Sequence, residues 1–229
     1  MAKFLVIVES PAKAKTISQY LGPEFNVRAS VGHIADLPSK GMAVDVDNGF
    51  APTYELTERG RTVVKELKDL LKSSDALYLA TDEDREGESI SWHLLQHLKP
   101  KVPVHRMVFH EINAKSIQEA VANPRELDQP LVDAAETRRI LDRLFGYEVS
   151  PVLWRRVNRG LSAGRVQSPA LRLIVEREWQ RIKFISADYF SLEAETDTTP
   201  SFTAKLLSVN GTRIATGKDF SEQGVVNPD

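Results

Sequence analysis

Two short apolar segments rich in β-branched residues constrain the fold most strongly. Residues 3–8 read KFLVIV and residues 76–81 read ALYLAT. Continuous apolar runs of this length are typical of central strands in a parallel sheet, which are buried on both faces. Each run is followed by a helical pattern, and residues 104–109 add a further strand. This alternation predicts an α/β fold in which helices cover both faces of a parallel sheet.

The rest of the chain changes character twice. Residues 124–130, PRELDQP, have the composition of a linker, and three helical pieces with a glycine-containing loop follow them. From Ala187 apolar and polar residues alternate with a period of two, and Asn210–Gly211 predicts a hairpin. The three expected domains are an α/β domain, a helical domain and the incomplete beginning of a β-rich domain, at residues 1–123, 124–185 and 186–229.

Composition excludes several classes of protein. The chain has no cysteine, which excludes disulfides and thiolate metal sites and fits a reducing compartment. The start, MAKFLVIVES, lacks a cleavage site, and no apolar run is long enough to span a bilayer, so we expect a cytoplasmic protein with no membrane partner. Residues 138–183 hold eleven basic and four acidic residues, although the whole chain has a net charge of −2. A basic segment joined to an acidic one indicates phosphate binding at the first and cation binding at the second.

Acidic residues crowd the end of the second apolar strand. Asp82, Asp84 and Glu86 are spaced by two residues, and an extended backbone would point their carboxylates the same way. Glu9 ends a different strand of the same predicted sheet, and ligands bind at the carboxyl edge of such sheets. These four acids predict a Mg²⁺ site, since a hard cation relieves the repulsion between carboxylates. The alternative is a solvated acidic loop before a helix N-terminus.

The basic segment carries groups suited to nucleic acid. Arg138 and Asp142 lie one helical turn apart, so an ion pair would hold the arginine in place. Residues 162–168, SAGRVQS, offer amides, hydroxyls and a guanidinium before a helix, a combination that binds phosphate and sugar oxygens. Tyr147 and Trp154 could stack on the bases of a single-stranded nucleic acid. The alternatives are a solvated helix face for the arginines and core positions for the aromatic residues.

Six motifs in this order resemble one family, the bacterial type IA DNA topoisomerases. The motifs are LVIVESPAKAKTI, GHIADLP, LATDEDREGESISWHL, FHEI, TRRILDRLFGYEVSPVLW and LSAGRVQSPALRLIVERE. The resemblance runs from Phe4 to Glu178 and implies that residues 5–121 form a Toprim domain with a Rossmann-like parallel sheet. It further implies Mg²⁺-dependent relaxation of negatively supercoiled DNA, in which one strand is cut, the other is passed and the cut strand is religated.

The resemblance also implies roles for individual residues. Glu9 is expected beside the scissile phosphate, Lys13 is expected to stabilise the transition state, and Asp82 and Asp84 are expected to bind Mg²⁺ with Glu86 in support. The expected DNA-contacting residues are His33, Arg138, Arg139, Asp142, Tyr147, Trp154, Ser162, Ala163, Gly164, Arg165, Val166 and Gln167.

One feature departs from the family. Its nucleophile is a tyrosine in a later domain, in a context similar to Tyr-Met-Arg-Thr-Asp, and none of the five tyrosines here has that context. We therefore expect an amino-terminal portion that binds Mg²⁺ and a single-stranded segment of supercoiled DNA without cleaving it. We expect the protein to be a monomer and to be located in the cytoplasm, in association with the nucleoid. The alternatives are a Toprim-containing nucleic-acid-binding protein without chemistry, and a nuclease or primase.

Overall fold

The computed structural model describes residues 3–186 and 188–220. The chain divides into two compact units, residues 1–163 and residues 164–229. The strands of the first unit are β1 (Phe4–Val8), β2 (Phe25–Ala29), β3 (Ala35–Asp36), β4 (Val44–Asp45), β5 (Ala51–Pro52), β6 (Glu55–Leu56), β7 (Ala76–Leu79) and β8 (Val104–Arg106). Its helices are α1 (Pro11–Ile17), α2 (Glu58–Leu71), α3 (Arg85–Leu98), α4 (Ala114–Ala122) and α5 (Gln129–Arg156). The second unit contains α6 (Gln167–Lys183), β9 (Glu193–Glu195), β10 (Thr203–Lys205), β11 (Ser208–Val209) and β12 (Thr212–Arg213).

A four-stranded parallel sheet organises the first unit, with the strand order β2-β1-β7-β8. Successive side chains of the central strand β1 point to opposite faces, as a pleated strand requires. Leu5 lies in a buried cluster with side chains of α2 and α3, whereas Val6 lies in a second cluster with side chains of α1 and α4. The predicted α/β fold with helices on both faces of a parallel sheet is therefore confirmed, and a helical region follows it.

Helix boundaries follow the capping residues. Ser10 caps α1 by accepting a hydrogen bond from the Lys13 amide, and Pro11 occupies the first helical position. The helix ends at Ile17, because the amides of Gln19 and Tyr20 bond three residues back instead of four. Asn113 caps α4 by accepting a hydrogen bond from the Ser116 amide.

Helix α5 is longer than expected. The first two of the three expected helical pieces form one helix that continues through Pro151, although proline cannot donate the amide hydrogen bond to residue 147. The adjacent Ser150 is buried, and its hydroxyl accepts a hydrogen bond from the Ala163 amide. The C-terminal part of α5 is thereby fixed to the loop that follows it.

The second unit contains one helix and two small antiparallel sheets in its described part. Strands β11 and β12 are joined at Asn210–Gly211, where both residues have positive φ angles of 51° and 82°. Two consecutive positive φ angles define the hairpin turn that Asn-Gly favours, so this prediction is confirmed. The domain boundaries at residues 123 and 185 stay predictions.

Among the helices of the described residues, none combines the length and the apolar character needed to cross a membrane.

Candidate active site at the carboxyl edge of the sheet

Three predicted residues converge where β1 and β7 end. Glu9 follows β1, Asp82 lies beyond the end of β7, and these two strands are parallel neighbours. Lys13 lies on the first turn of α1, and its Nζ donates to Asp82 Oδ1 at 2.5 Å while forming an ion pair with Glu9 Oε1. Glu9 and Asp82 are 73 positions apart in the sequence, and both contact the ammonium group of Lys13. Lys13 thus links the ends of the two strands.

Glu9 is the most enclosed of these groups. Both of its carboxylate oxygens are buried, and among the described residues their one charged contact is that of Oε1 with the Lys13 ammonium. Burial by itself lowers the pKa of Lys13, but the hydrogen bonds and charges of Asp82 and Glu9 outweigh that effect and raise its pKa above the usual value. Lys13 therefore stays protonated at neutral pH.

The expected alignment of three acids along an extended backbone is wrong. Helix α3 begins at Arg85, so Asp84 is its N-cap and accepts a hydrogen bond from the Gly87 amide at 2.8 Å. Glu86 lies in the first helical turn, where its Oε2 is 3.3 Å from His33 Nε2 and its Oε1 is 3.8 Å from Arg138 Nη1. Capping an otherwise unpaired helix terminus favours this geometry over an extended one.

Gly87 allows α3 to approach the acidic loop, residues 80–84 between β7 and α3, closely. A Cβ atom at this position would lie 2.8 Å from both the carbonyl carbon and the amide nitrogen of Asp82. Real Cβ atoms do not come so close to backbone atoms, so a larger residue would push Asp82 away from the strand end. The absence of a side chain at Gly87 therefore permits this close approach.

The donor set fits a hard cation. Within residues 3–186 and 188–220, no group of three or more acidic or histidine side chains has the arrangement of a metal site. Glu9 nevertheless has two buried oxygens whose one charged contact among the described residues is Lys13, and Asp82 adds a carboxylate beside it. Carboxylate oxygens are the ligands that Mg²⁺ prefers. These residues could hold Mg²⁺, with Lys13 as the cation that now joins Glu9 to Asp82.

A cavity of about 350 Å³ lies beside this edge. It is lined by His33, Ala35, Asp36, Tyr54, Glu86, Ser89, His93, Ala135, Arg138, Arg139 and Asp142. Four predicted residues therefore line it together with Glu86. Arg139 is held by both oxygens of Asp36 at 2.6 and 2.7 Å, and Arg138 Nε lies 3.9 Å from Asp142 as its spacing predicted.

A buried histidine, His93, and a partly buried tyrosine, Tyr54, line this cavity with shifted pKa values. Burial, with smaller contributions from the charges of His33 and His97, lowers the pKa of His93 to about 4. Burial, together with the negative charge of Glu136, raises the pKa of Tyr54 to about 12. Their rings pack edge to face, with centroids 4.5 Å apart. Both side chains are therefore neutral at pH 7, and they add uncharged surface to a cavity that is also lined by arginines and carboxylates.

A second cavity, of about 620 Å³, lies along α5 and contains both predicted stacking residues. It is lined by Ser39, Arg139, Asp142, Arg143, Gly146, Tyr147, Ser150, Pro151, Trp154, Ser162 and Ala163. The guanidinium of Arg143 lies 5.4 Å from the centre of the Tyr147 ring and donates to the carbonyl oxygens of Leu37 and Gly41. Trp154 donates to the Leu161 carbonyl oxygen at 2.5 Å and remains half exposed.

The predicted stretch from Ser162 to Gln167 crosses the boundary between the two units. Ser162 and Ala163 line the second cavity in the first unit. Gly164, Arg165 and Val166 precede α6 in the second unit, and Gln167 is its first residue. The expectation that this stretch leads into a helix N-terminus is confirmed, whereas its contacts with DNA stay a prediction.

Sequence reasoning missed a buried charge cluster beneath the acidic loop. Glu88, the last acid of the crowded stretch, is fully buried and accepts hydrogen bonds from Arg106 Nε at 2.9 Å and Arg125 Nη2 at 2.7 Å. Its helical spacing offered a signal, because Ser91 and Leu98 follow it at three and ten residues and share the buried face of α3. Glu88 is therefore part of the core, unlike the acids that precede it.

Comparisons with known proteins agree on one family. Residues 4–112 match the Toprim domain, and residues 126–223 match the DNA topoisomerase family. The chain is 57% identical to DNA topoisomerase 1 of Streptomyces coelicolor and 54% identical to that of Mycolicibacterium smegmatis, in each case over 96% of its length. It spans about a quarter of the length of these relatives.

A solved structure is also similar. The full-length topoisomerase I from Thermotoga maritima matches 93% of this chain with 42% identity and a TM-score of 0.74, and the match covers 36% of that protein. The similarity therefore extends over both the sheet region and the residues that follow it.

Proposed function

The chain belongs to the bacterial DNA topoisomerase I family, as the amino-terminal region with the Toprim domain, and we propose that it binds Mg²⁺ and single-stranded DNA for that family's reaction. The whole reaction would relax negatively supercoiled DNA by cleaving one strand, passing the other and religating the first. The observation that carries the proposal is the convergence of Glu9, Lys13 and Asp82 at the carboxyl edge of the sheet.

The acidic edge is proposed to act on the scissile phosphodiester. Glu9, Asp82 and Asp84 would hold Mg²⁺ with Glu86 in support, and the bound cation would neutralise phosphate charge and orient the cut 3′ end. Lys13 would donate a hydrogen bond to a phosphate oxygen as negative charge develops there. Lys13, which lies beside Glu9, would donate a proton to the leaving 3′ oxygen.

The surface of α5 is proposed to bind the single strand. The second cavity is large enough for an unstacked base, and it presents Tyr147 and Trp154 with arginines around them. Base stacking on aromatic rings and phosphate binding by arginine are the usual elements of such sites. His33, Arg138, Arg139 and Asp142 would contact the strand near the first cavity, and residues 162–167 would contact its sugars and phosphates.

We propose that this chain does not cleave DNA, because none of its tyrosines has the sequence context of the family's nucleophile. Incubation of negatively supercoiled plasmid with Mg²⁺ and stoichiometric protein tests this. Unchanged supercoiled plasmid is expected, whereas relaxed or nicked product would require a nucleophile within this chain. Sedimentation of the same protein should give a monomer, and a stable dimer would contradict the proposed monomeric setting in the nucleoid-containing cytoplasm.

Magnesium binding can be measured directly by calorimetry. Asp82→Asn should weaken Mg²⁺ binding at least about tenfold, because it removes a proposed ligand charge. The matched control is Asp69→Asn, which removes the same charge from an exposed pair with Lys72 on α2. Equal Mg²⁺ affinity in the two variants would contradict the proposed site.

DNA binding can be measured by the fluorescence anisotropy of a labelled single-stranded oligonucleotide. Tyr147→Ala should weaken binding about tenfold, the effect of losing one stacked base. Tyr147→Phe keeps the ring and should bind within about twofold of the original protein. An equal loss in both variants would show that the hydroxyl, and not stacking, makes the contact.

A further inference from the structure

Arg106 lies beneath the acidic loop and binds its backbone. The side chain is 1% exposed, although it carries a full charge. Its Nη1 donates to the carbonyl oxygens of Leu79, Thr81 and Met107 at 3.1, 2.8 and 2.9 Å, and its Nη2 donates to the carbonyl oxygen of Asp82 at 2.7 Å. A single guanidinium therefore binds the backbone of Leu79, the last residue of β7, and of Thr81 and Asp82 in the loop that follows.

Glu88 compensates the buried charge of Arg106. Burial lowers the pKa of the Arg106 guanidinium, while the hydrogen bond and the charge of Glu88 act in the opposite direction. Glu88 Oε2 also accepts a hydrogen bond from the Asp128 amide at the start of α5, and Oε1 accepts one from Arg125. A buried ion pair keeps its charges only when their remaining hydrogen bonds are made, and this cluster makes them.

Other hydrogen bonds also fix the acidic loop: the Thr81 hydroxyl donates to the Gly87 carbonyl oxygen at 2.7 Å and contacts Ser91 Oγ at 2.8 Å, and Asp84 caps α3. Asp82, between them, is held differently. The side chain of Asp82 is 54% exposed, and its carboxylate contacts the flexible Lys13. The close packing of Gly87 on the Asp82 backbone limits the loop from one side. The hydrogen bond from Arg106 to the Asp82 carbonyl oxygen fixes it from the interior of the protein.

We propose that Arg106, held in place by Glu88, is a positioning residue for the Mg²⁺ site. It fixes the backbone of Asp82 so that the carboxylate faces Glu9 across the strand ends. The inference rests on the proposed function, because it assigns Arg106 to the same site. Residues that orient metal ligands typically change metal affinity by about tenfold or more when they are replaced.

Two variants separate positioning from stability. Arg106→Lys keeps a cation beside Glu88, but the three N–H donors of an ammonium group cannot replace the bonds to Glu88 and to four carbonyl oxygens at once. The control Arg125→Gln also removes a hydrogen bond to Glu88, but among the described residues the Arg125 side chain bonds to Glu88 and Glu126 and to none of residues 80–84. Both variants should unfold at lower urea concentrations than the original protein, so stability alone does not distinguish them.

The deciding measurements are Mg²⁺ affinity and amide hydrogen exchange of residues 80–88. Arg106→Lys should weaken Mg²⁺ binding about tenfold and should speed up amide exchange of the acidic loop and the first turn of α3 by a similar factor. Arg125→Gln should change both by less than about twofold. Equal effects of the two variants on affinity and exchange would overturn the proposal.

Two further results remain decisive. If the original protein binds no Mg²⁺ at Asp82, the proposed function fails, and loop exchange alone decides whether Arg106 fixes the backbone. If Arg106→Lys does not fold, Glu88→Gln replaces it, because it keeps an oxygen acceptor for Arg106 and removes the charge. Faster exchange of residues 80–88 in Glu88→Gln supports the proposal, and unchanged exchange overturns it.

Discussion

The two units of the chain differ in whether they bury charged and apolar side chains. The first unit buries an ion pair, Arg106–Glu88, together with the apolar residues of both sheet faces. In residues 164–186 and 188–220 of the second unit no residue is buried, and Leu173 and Phe190 remain 67% and 85% exposed. Side chains of the first unit are therefore fixed by packing, whereas elements of the second are supported by local interactions.

Local interactions of the second unit are of two kinds. Arg172 and Glu176 form an ion pair one helical turn apart at 2.6 Å, and Arg181 pairs with Glu178. The hairpin at Asn210–Gly211 has a backbone conformation that these residues adopt readily. The same types of residue thus make an expensive buried pair in one unit and a weak solvated pair in the other.

The largest effect is expected from removing the buried carboxylate. Glu88→Ala leaves Arg106 charged, buried and without its anion, so it should lower the free energy of unfolding by about 3–5 kcal/mol. Urea unfolding followed by circular dichroism measures this. If the free energy of unfolding fell by less than about 1 kcal/mol, the Arg106–Glu88 pair would contribute no more than the exposed ion pairs of α6. The energetic contrast between the two units would then be absent.

A pH-dependent effect should come from His93, which also belongs to the first unit. Its pKa is about 4 in the folded protein and 6.5 without the fold, so the unfolded chain binds a proton that the folded chain does not. Stability is complete above pH 6.5, falls as the pH decreases to about 4, and loses up to about 3 kcal/mol. The groups around His93 are His33, His97 and Asp36, with the rings of Tyr54 and Trp92.

The comparison variant for this effect is His93→Phe, which keeps an aromatic ring and removes the titration. Urea midpoints of both proteins at pH 7 and pH 4.5 measure the difference. The dependence should be shallower in the variant, since only its other groups still titrate. Equal pH dependence in both proteins would assign the acid sensitivity to carboxylates elsewhere.

The sequence predicted the parts of the site that depend on strand order. Glu9 and Asp82 were expected to meet because adjacent parallel strands end at one edge of a sheet, and Lys13 joins them there. The orientation of Glu86 was not predictable from its spacing, because that spacing is compatible with a strand or a helix. Which one forms depends on whether Asp84 caps α3.

The buried cluster was not predictable for a different reason. Glu88 meets Arg106 and Arg125 at separations of 18 and 37 residues, so its partners are fixed only by the folded sheet. An acidic residue in an acidic stretch is usually solvated, and only the helical spacing to Ser91 indicated otherwise. The same limit applies to Asp36, whose pairing with Arg139 joins residues 103 positions apart.

A smaller effect separates two roles of Asp84, as helix cap and as proposed Mg²⁺ ligand. Asp84→Ala should cost about 1 kcal/mol of stability, because the Gly87 amide loses its acceptor. Asp84→Ser retains a capping oxygen and should cost only a few tenths of a kcal/mol, about the difference between good caps. Calorimetry should show weaker Mg²⁺ binding in both variants. Normal Mg²⁺ binding in Asp84→Ser would leave Asp84 with the capping role alone.

The smallest effect is expected on the second unit. Arg172→Ala removes the solvated pair with Glu176, and an exposed pair one helical turn apart contributes no more than about 0.5 kcal/mol. Amide hydrogen exchange of residues 167–183 should therefore change by no more than about twofold, and the change should shrink further in high salt. A change of tenfold or more would mean that α6 depends on this pair as strongly as the sheet depends on Glu88. The two units would then share one mode of stabilisation, and the contrast in burial between them would have no energetic counterpart.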